Sequence, residues 1–143
     1  MSSKTIHEFR GENYFLSNFY ASPVTYNGIT YQNNESAFQA QKDLSRSHEF
    51  AELPPNKAKS LGRRVKLRPD WEQVKESIMY DIVYAKFSQN PKLKQKLIAT
   101  GDVELIEGNY WHDNYWGDCT CNRCKNKTGL NKLGKILMDI RYG

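Results

Sequence analysis

The sequence predicts an α+β fold that is mostly helical and carries a small antiparallel sheet. The sheet is predicted from Asn27-Gly28, which separates two short β-prone runs and suits the positive φ angles of a type I′ hairpin turn. The helices are predicted from apolar residues that recur every three or four positions, most clearly between Trp71 and Gln89. A helical majority beside one short hairpin is typical of the α+β class.

The predicted elements follow one another along the chain, bounded by capping residues, prolines and glycines. They are the hairpin strands 24–26 and 29–31, a helix from Asn33 or Asn34 to about Leu44, a short helix from Pro54-Pro55 to Gly62, the long helix from Trp71 to about Gln89, a helix from Pro91 to Gly101, a short strand within 103–106 and a last helix from about Asn131. The stretch 107–130 has no clear period, and long loops of this kind in compact domains are usually functional or disordered.

Size and composition favour one domain over residues 1–143. The chain is 38% hydrophobic and 26% charged, which is enough for a single core. Its apolar runs are too short to cross a bilayer, and no segment near Met1 has the shape of a signal peptide. Three cysteines, an odd number, do not form a secreted disulfide framework. We therefore expect a cytoplasmic protein with no membrane partner.

The charge of the chain favours a partner that carries phosphate. The net charge is +5, and between Lys57 and Arg68 there are six basic residues and no acidic one. Two interpretations of this run stay open: a solvated basic face, or a phosphate-binding edge with one arginine placed for bidentate contact.

Two segments could carry chemistry. Glu35 enters a helix directly after the hairpin, where a carboxylate could be functional or could simply complement the helix dipole. The segment Tyr110–Asp118 interleaves aromatic residues with Asp and Asn, which suits a site that stacks a base and hydrogen-bonds a sugar, or else an aromatic-anchored loop. The chain has no phosphate-loop or dinucleotide motif, and we predict no cofactor.

The three cysteines form one C-x-C-x-x-C cluster: Cys119, Cys121 and Cys124. His112 or Asp118 could complete a set of four zinc ligands. Zinc sites more often use two separated C-x-x-C pairs, and the chain has no second pair. The sequence therefore favours reduced thiols that pack in the loop over structural zinc, with a redox pair as a third alternative, and it assigns no metal.

Several short blocks, in this order and spacing, resemble the NADAR/YbiA-like family from about Ile6 to Arg141. They include Phe15-Leu16-Ser17-Asn18-Phe19-Tyr20, Glu35-Ser36-Ala37-Phe38-Gln39-Ala40-Gln41-Lys42, Arg68-Pro69-Asp70-Trp71, Trp116-Gly117 and Gly129-Leu130-Asn131-Lys132-Leu133-Gly134. The resemblance implies a YbiA-like fold and an N-glycosidase activity. The segment 118–128, with its cysteines, departs from the more glycine-rich forms of the family.

The resemblance also implies site residues. Glu35 is the expected catalytic carboxylate, which would activate water or stabilise the sugar cation. Asp113 is its expected partner, which would hold a ribose hydroxyl or share proton transfer, and the two are expected to face one cleft. The expected substrate-binding residues are Asn18, Phe19, Lys42, Arg63, Trp71, Trp116 and Asn131.

Three functions are compatible with the resemblance. The favoured one is hydrolysis of the ribosyl C–N bond in phosphoribosylamino-pyrimidine intermediates of riboflavin biosynthesis. The second is removal of ADP-ribose from guanine in nucleic acid, and the third is a non-catalytic sensor that binds ADP-ribose or a related nucleotide. The net charge of +5 suits all three partners.

Overall fold

A computed structural model describes residues 4–143, and these form two compact units, residues 18–91 and residues 4–17 with 92–143. Helices make up about half of the described chain, which confirms the α+β prediction. The elements are β1 (Thr5–Ile6), a 3₁₀ helix (Gly11–Leu16), β2 (Ala21–Tyr26), β3 (Ile29–Asn33), α1 (Asn34–Ala40), a 3₁₀ helix (Leu44–Phe50), α2 (Pro55–Gly62), α3 (Trp71–Gln89), α4 (Pro91–Ala99), β4 (Glu104–Leu105), β5 (Gly108–Asn109), β6 (Asp118–Cys119), a 3₁₀ helix (Asn122–Cys124) and α5 (Lys132–Tyr142).

The unit of residues 18–91 begins with the predicted hairpin. Strands β2 and β3 pair antiparallel, and the turn between them has φ of 51° at Asn27 and 83° at Gly28. Positive φ at both central residues is what a type I′ turn requires. Val24 and Tyr31 are completely buried, so the hairpin presents one face to the core of this unit.

Helix α1 begins where the hairpin ends, and every residue in it is buried. The side chain of Asn33 caps it, since Asn33 Oδ1 accepts a 2.8 Å hydrogen bond from the backbone N–H of Ser36. The helix stops at Ala40, before the predicted end at Leu44. Asp43 accounts for the early end, because its carboxylate accepts hydrogen bonds from the N–H and Oγ of Ser45 and starts the following 3₁₀ turn.

The other unit contains two short parallel ladders. Strand β1 pairs with β4, which lies within the predicted strand region 103–106, and β5 pairs with β6. Within residues 4–143, the antiparallel part of the predicted sheet is thus the hairpin alone. The two parallel ladders were not predicted because strands of two residues have no readable period. Helix α5 closes on β4 through Gly134, where a Cβ would collide with the carbonyl oxygen of Leu105.

Among residues 4–143, no helix combines the length and hydrophobicity that crossing a membrane requires. The prediction of one domain over residues 1–143 stays a prediction. Its first three residues lie outside the described part of the chain.

Candidate active site

Glu35 is a buried carboxylate in the first turn of α1. Its side chain is 8% exposed, and its backbone N–H donates a 3.0 Å hydrogen bond to the carbonyl oxygen of Asn18. Carboxylates are rarely buried unless charged or polar groups compensate them. The polar groups around Glu35 therefore define the candidate site in this unit.

Gln39 is the first of these groups, one helical turn after Glu35. Its Nε2 donates a 2.7 Å hydrogen bond to Glu35 Oε2. On its other side Gln39 packs against Gly62 of α2, where a Cβ would collide with Gln39 Oε1. Gln39 was not among the site residues predicted from the sequence. The signal that could have identified it is its spacing of four residues from Glu35, which places the two side chains next to each other on a helix.

Lys42 is a cation close enough to Glu35 for the two charges to interact. Burial lowers the pKa of Lys42, the charge of Glu35 opposes that decrease, and the charges of Arg63 and Lys59 add to it. Lys42 Nζ also lies 5.8 Å from the centroid of the Trp71 ring, within cation–π range. Glu35, Lys42 and Trp71, three residues predicted for the site, are thus brought together in this unit.

Trp71 and Phe38 form the aromatic part of the site. Trp71 begins α3 and is 6% exposed, and its ring centroid lies 5.1 Å from that of Phe38, with the planes inclined at 52°. Phe19 is a second aromatic residue, with Lys59 Nζ 5.8 Å from its centroid. Cations lie near both Trp71 and Phe19, an arrangement that can bind a planar group and an anion side by side.

Asn18 connects this cluster to α3. Its Oδ1 accepts a 3.2 Å hydrogen bond from Asn34 Nδ2, and its Nδ2 lies 3.5 Å from Met79 Sδ. Asn18 is 8% exposed and fixes the start of α1 through its backbone bond to Glu35. The structure thus gives Asn18 a positioning role beside Glu35, and contact between Asn18 and substrate stays a prediction.

Asp113 belongs to the other unit, and its carboxylate shapes a turn there. Asp113 Oδ1 accepts backbone hydrogen bonds from Tyr115 at 3.1 Å and Trp116 at 2.9 Å. The buried side chain of Asn109 holds the same turn, because it accepts from the N–H groups of Trp111 and Asp113 and donates to the Asp113 carbonyl. Asp113 therefore has a structural role, and its catalytic role stays a prediction, as does the shared cleft with Glu35.

Trp116 and Asn131 are the two other predicted residues of this unit. Trp116 is half-buried and meets Tyr115 edge to face, with centroids 4.8 Å apart. Asn131 is 8% exposed, and its amide accepts from the Glu107 N–H at 3.0 Å and donates to the Leu105 carbonyl at 2.9 Å. Asn131 thus fixes the start of α5 against the end of β4, and ligand binding by Asn131 stays a prediction.

The three cysteines surround one histidine nitrogen. His112 Nδ1 lies 3.8 Å from Cys119 Sγ, 3.2 Å from Cys121 Sγ and 3.6 Å from Cys124 Sγ. All four ligand atoms lie within 4.8 Å of one another, and the cysteines are not paired in disulfides. Of the two residues that the sequence offered as a fourth ligand, the geometry selects His112, since the Asp118 carboxylate instead accepts from the Gly129 N–H.

Comparisons with known proteins identify the family. The family model described as the NADAR domain matches residues 6–143. The protein is 39% identical over 131 residues to the N-glycosidase YbiA of Escherichia coli strain K12, a match that covers 88% of this chain and 78% of the relative. An N-glycosidase of Nostoc punctiforme is 37% identical over 135 residues, covering 88% of this chain and 82% of the relative.

Two further matches extend this comparison. A riboflavin biosynthesis protein of Vibrio vulnificus is 38% identical over 132 residues, which cover 89% of this chain and 34% of that longer protein. The NMR structure of E. coli YbiA superposes with a TM-score of 0.82 at 35% identity and covers 99% of this chain and 86% of that one. The protein is a hydrolase of N-glycosyl bonds. By the extent of these matches, the chain belongs to the NADAR domain family.

Proposed function

We propose that this N-glycosidase hydrolyses the bond between a base and a phosphorylated ribose, as in phosphoribosylamino-pyrimidine intermediates of riboflavin biosynthesis. The observation that carries the proposal is the buried Glu35 carboxylate. Its charge raises the pKa of the nearby Lys42, while burial and the charges of Arg63 and Lys59 lower that pKa. A carboxylate near Lys42, with further cations close to that lysine, suits a substrate whose sugar becomes positively charged as the C–N bond breaks and whose phosphate is anionic. The riboflavin biosynthesis protein of Vibrio vulnificus, a relative, supports the choice of substrate class.

In the proposed reaction, Glu35 acts on the sugar carbon. Breaking the C–N bond sends its electron pair to the departing amine and leaves positive charge on the ribose, as in other glycoside hydrolyses. The carboxylate of Glu35 stabilises that cation or takes a proton from the attacking water, whose oxygen then bonds to the anomeric carbon. The proton that the water gives up passes to the nitrogen of the departing amine, which leaves as a neutral group. The hydrogen bond from Gln39 leaves Glu35 little freedom to turn, so that the carboxylate is held ready for the reaction.

The remaining residues of this unit bind the two ends of the substrate. Arg63 and Lys42 contact the phosphate, where a guanidinium offers paired donors and an ammonium offers a point charge. Trp71 stacks on the base, a contact that contributes about 1–3 kcal/mol in nucleic-acid binding proteins. Phe19 and Asn18 complete the binding surface. The predicted roles of Asp113, Trp116 and Asn131 stay separate hypotheses.

One assay panel tests the proposal. The purified protein and its Glu35→Gln variant are each given the phosphoribosylamino-pyrimidine and, separately, an oligonucleotide that carries ADP-ribosylated guanine, with products identified by mass spectrometry. Release of ribose 5-phosphate from the first substrate alone, lost in the variant, is the expected result. Release of ADP-ribose from the second substrate alone would contradict the proposal and assign the protein to removal of ADP-ribose from nucleic acid. Binding of either substrate without any product would contradict it in favour of a non-catalytic sensor.

Cytoplasmic location is part of the same proposal. The three cysteines of the chain are not joined by disulfides, and free thiols are maintained in the reducing cytoplasm. A phosphorylated metabolic intermediate would also be found in that compartment.

A further inference from the structure

We propose that His112, Cys119, Cys121 and Cys124 bind one structural zinc ion. A zinc–thiolate bond is about 2.3 Å and a zinc–imidazole bond about 2.0–2.1 Å, so a tetrahedral site separates the nitrogen from each sulfur by about 3.6 Å. The three distances from His112 Nδ1, at 3.2, 3.6 and 3.8 Å, lie around that value. The three nitrogen–sulfur distances thus already match those of a zinc tetrahedron, and all four ligand atoms lie within 4.8 Å of one another.

Hydrogen bonds to His112 Nδ1 do not explain why three sulfurs surround this nitrogen. An imidazole nitrogen carries either one proton or one lone pair, so Nδ1 can make one good hydrogen bond with a thiol and not three. Two of the three close sulfur contacts would then have no favourable partner at this nitrogen. A divalent cation at the centre satisfies all four atoms at once, with the cysteines as thiolates and the imidazole neutral.

The local backbone resembles that of known zinc-binding turns. Cys121 and Cys124 form a C-x-x-C pair on a 3₁₀ turn in which the N–H of Cys124 donates to the Cys121 carbonyl, and this spacing is common in structural zinc sites. The N–H of Cys121 also lies 3.5 Å from Cys119 Sγ, an outer-shell bond of the kind that orients a metal ligand. Four protein ligands leave no open position, which indicates a structural rather than a catalytic metal.

The proposed metal would stabilise a segment that has little core of its own. Around Cys124, the residues from Asn122 to Thr128 are exposed. A bound metal can supply the folding free energy that such a segment cannot obtain from apolar burial. Because His112 immediately precedes Asp113, the ion would also anchor the turn in which Asp113 bonds to Tyr115 and Trp116.

Metal analysis of the full-length protein tests the proposal. The protein is reconstituted with zinc under reducing conditions, freed of loose metal and analysed by plasma mass spectrometry, where we expect about one zinc per chain. Cobalt(II) in place of zinc should give the visible spectrum of a tetrahedral thiolate centre. A metal-free protein after reconstitution, or a protein mass that shows an internal disulfide under these conditions, would overturn the proposal.

Matched variants identify the ligands. Cys121→Ser should weaken zinc binding at least about 100-fold, since even changes outside the ligand set can cost that much. His112→Asn should also weaken it, and asparagine tolerates the positive φ of 69° at this position. Asp118→Asn keeps the oxygen that bonds to Gly129 and should bind zinc as the wild type does. Zinc loss in Asp118→Asn with full retention in His112→Asn would refute the ligand set.

A local proteolysis experiment gives a readout that does not depend on activity. Arg123, Lys125 and Lys127 are exposed trypsin sites within the cysteine segment. A chelator should accelerate cleavage at these sites about tenfold or more in the wild type, because a segment held by metal opens when the metal leaves. Cleavage at the same rate with and without chelator would count against a structural metal, even if Cys121→Ser proves too unstable to purify.

Discussion

Gln39 Nε2 donates a 2.7 Å hydrogen bond to Glu35 Oε2 across one turn of α1. The opposite face of the Gln39 amide lies against Gly62, where no side chain other than hydrogen fits. The orientation of the buried carboxylate is therefore set by packing between α1 and α2 as well as by a hydrogen bond. Changes at Glu35 and at Gly62 should have related effects on activity.

Replacing Glu35 by Gln should abolish most of the activity. The variant keeps the size of the side chain but removes the charge that stabilises the sugar cation or activates water. We expect kcat to fall at least about 10²-fold, in the range of general acid–base effects, with little change in thermal stability. Glu52→Gln is the matched control, because Glu52 is exposed and accepts a hydrogen bond from Gln32. Normal turnover in Glu35→Gln would refute the assignment.

Replacing Gly62 by Ala should impair the enzyme through Gln39. The new methyl group would collide with the Gln39 amide, so the side chain must swing away or α2 must shift. We expect a loss of about 1–3 kcal/mol in unfolding free energy and a decrease in kcat of about 10-fold to 100-fold as Glu35 loses its positioning bond. Ser60→Ala, on the same helix, is the control for denaturation and kinetics. A fully active Gly62→Ala enzyme would show that Gln39 does not position Glu35.

The hairpin and the helices were predictable because their signals are local. Asn27-Gly28 fixes the turn by its backbone preferences, and Pro55, Pro91 and Gly62 mark helix boundaries that the structure confirms. The short parallel ladders were not predictable, because two-residue strands are selected by tertiary contacts rather than by sequence pattern. The end of α1 at Ala40 was also missed, since it depends on a side-chain bond from Asp43.

The candidate site was predicted less completely than the fold. The resemblance supplied Glu35, Lys42 and Trp71, and the structure brings these three together. It could not show that Gln39 holds Glu35, because that depends on the close approach of α2 at Gly62. The close contact of His112 with the three cysteines could not be predicted either, because the spacing of residues in a sequence does not determine the conformation of the loop between them.

Lys86 should make stability depend on pH. It is 1% exposed, and burial lowers its pKa to about 7, below the value of about 10.4 expected when unfolded. Between these values the unfolded state binds more protons, so the free energy of unfolding should rise with pH by up to about 1.4 kcal/mol per unit. Below pH 7 the amine is protonated in both the folded and the unfolded state. The free-energy cost of burying its charge then has its full value and no longer changes with pH.

Lys86→Met isolates this contribution. The variant should be more stable than the wild type below pH 7, and the difference should narrow steadily towards pH 10. Urea denaturation at several pH values measures both curves. Lys92→Met is the control, because Lys92 is exposed at the start of α4. The difference in unfolding free energy between Lys92→Met and wild type should stay the same across this pH range. Parallel curves for Lys86→Met and wild type would mean that Lys86 keeps its ordinary protonation in the folded protein.

Two substitutions of Asp113 separate its structural role from a chemical one. Asp113→Asn retains an oxygen that can accept from Tyr115 and Trp116, whereas Asp113→Ala removes it. On structural grounds Asn should be close to wild type in stability, and Ala should lose about 1–2 kcal/mol by analogy with side-chain caps. If the carboxylate itself takes part in hydrolysis, kcat of the stable Asn variant should still fall at least about tenfold. Wild-type kcat for Asn together with a destabilised Ala variant would assign Asp113 to the shape of the loop alone, since the turn needs an acceptor oxygen but not a charge.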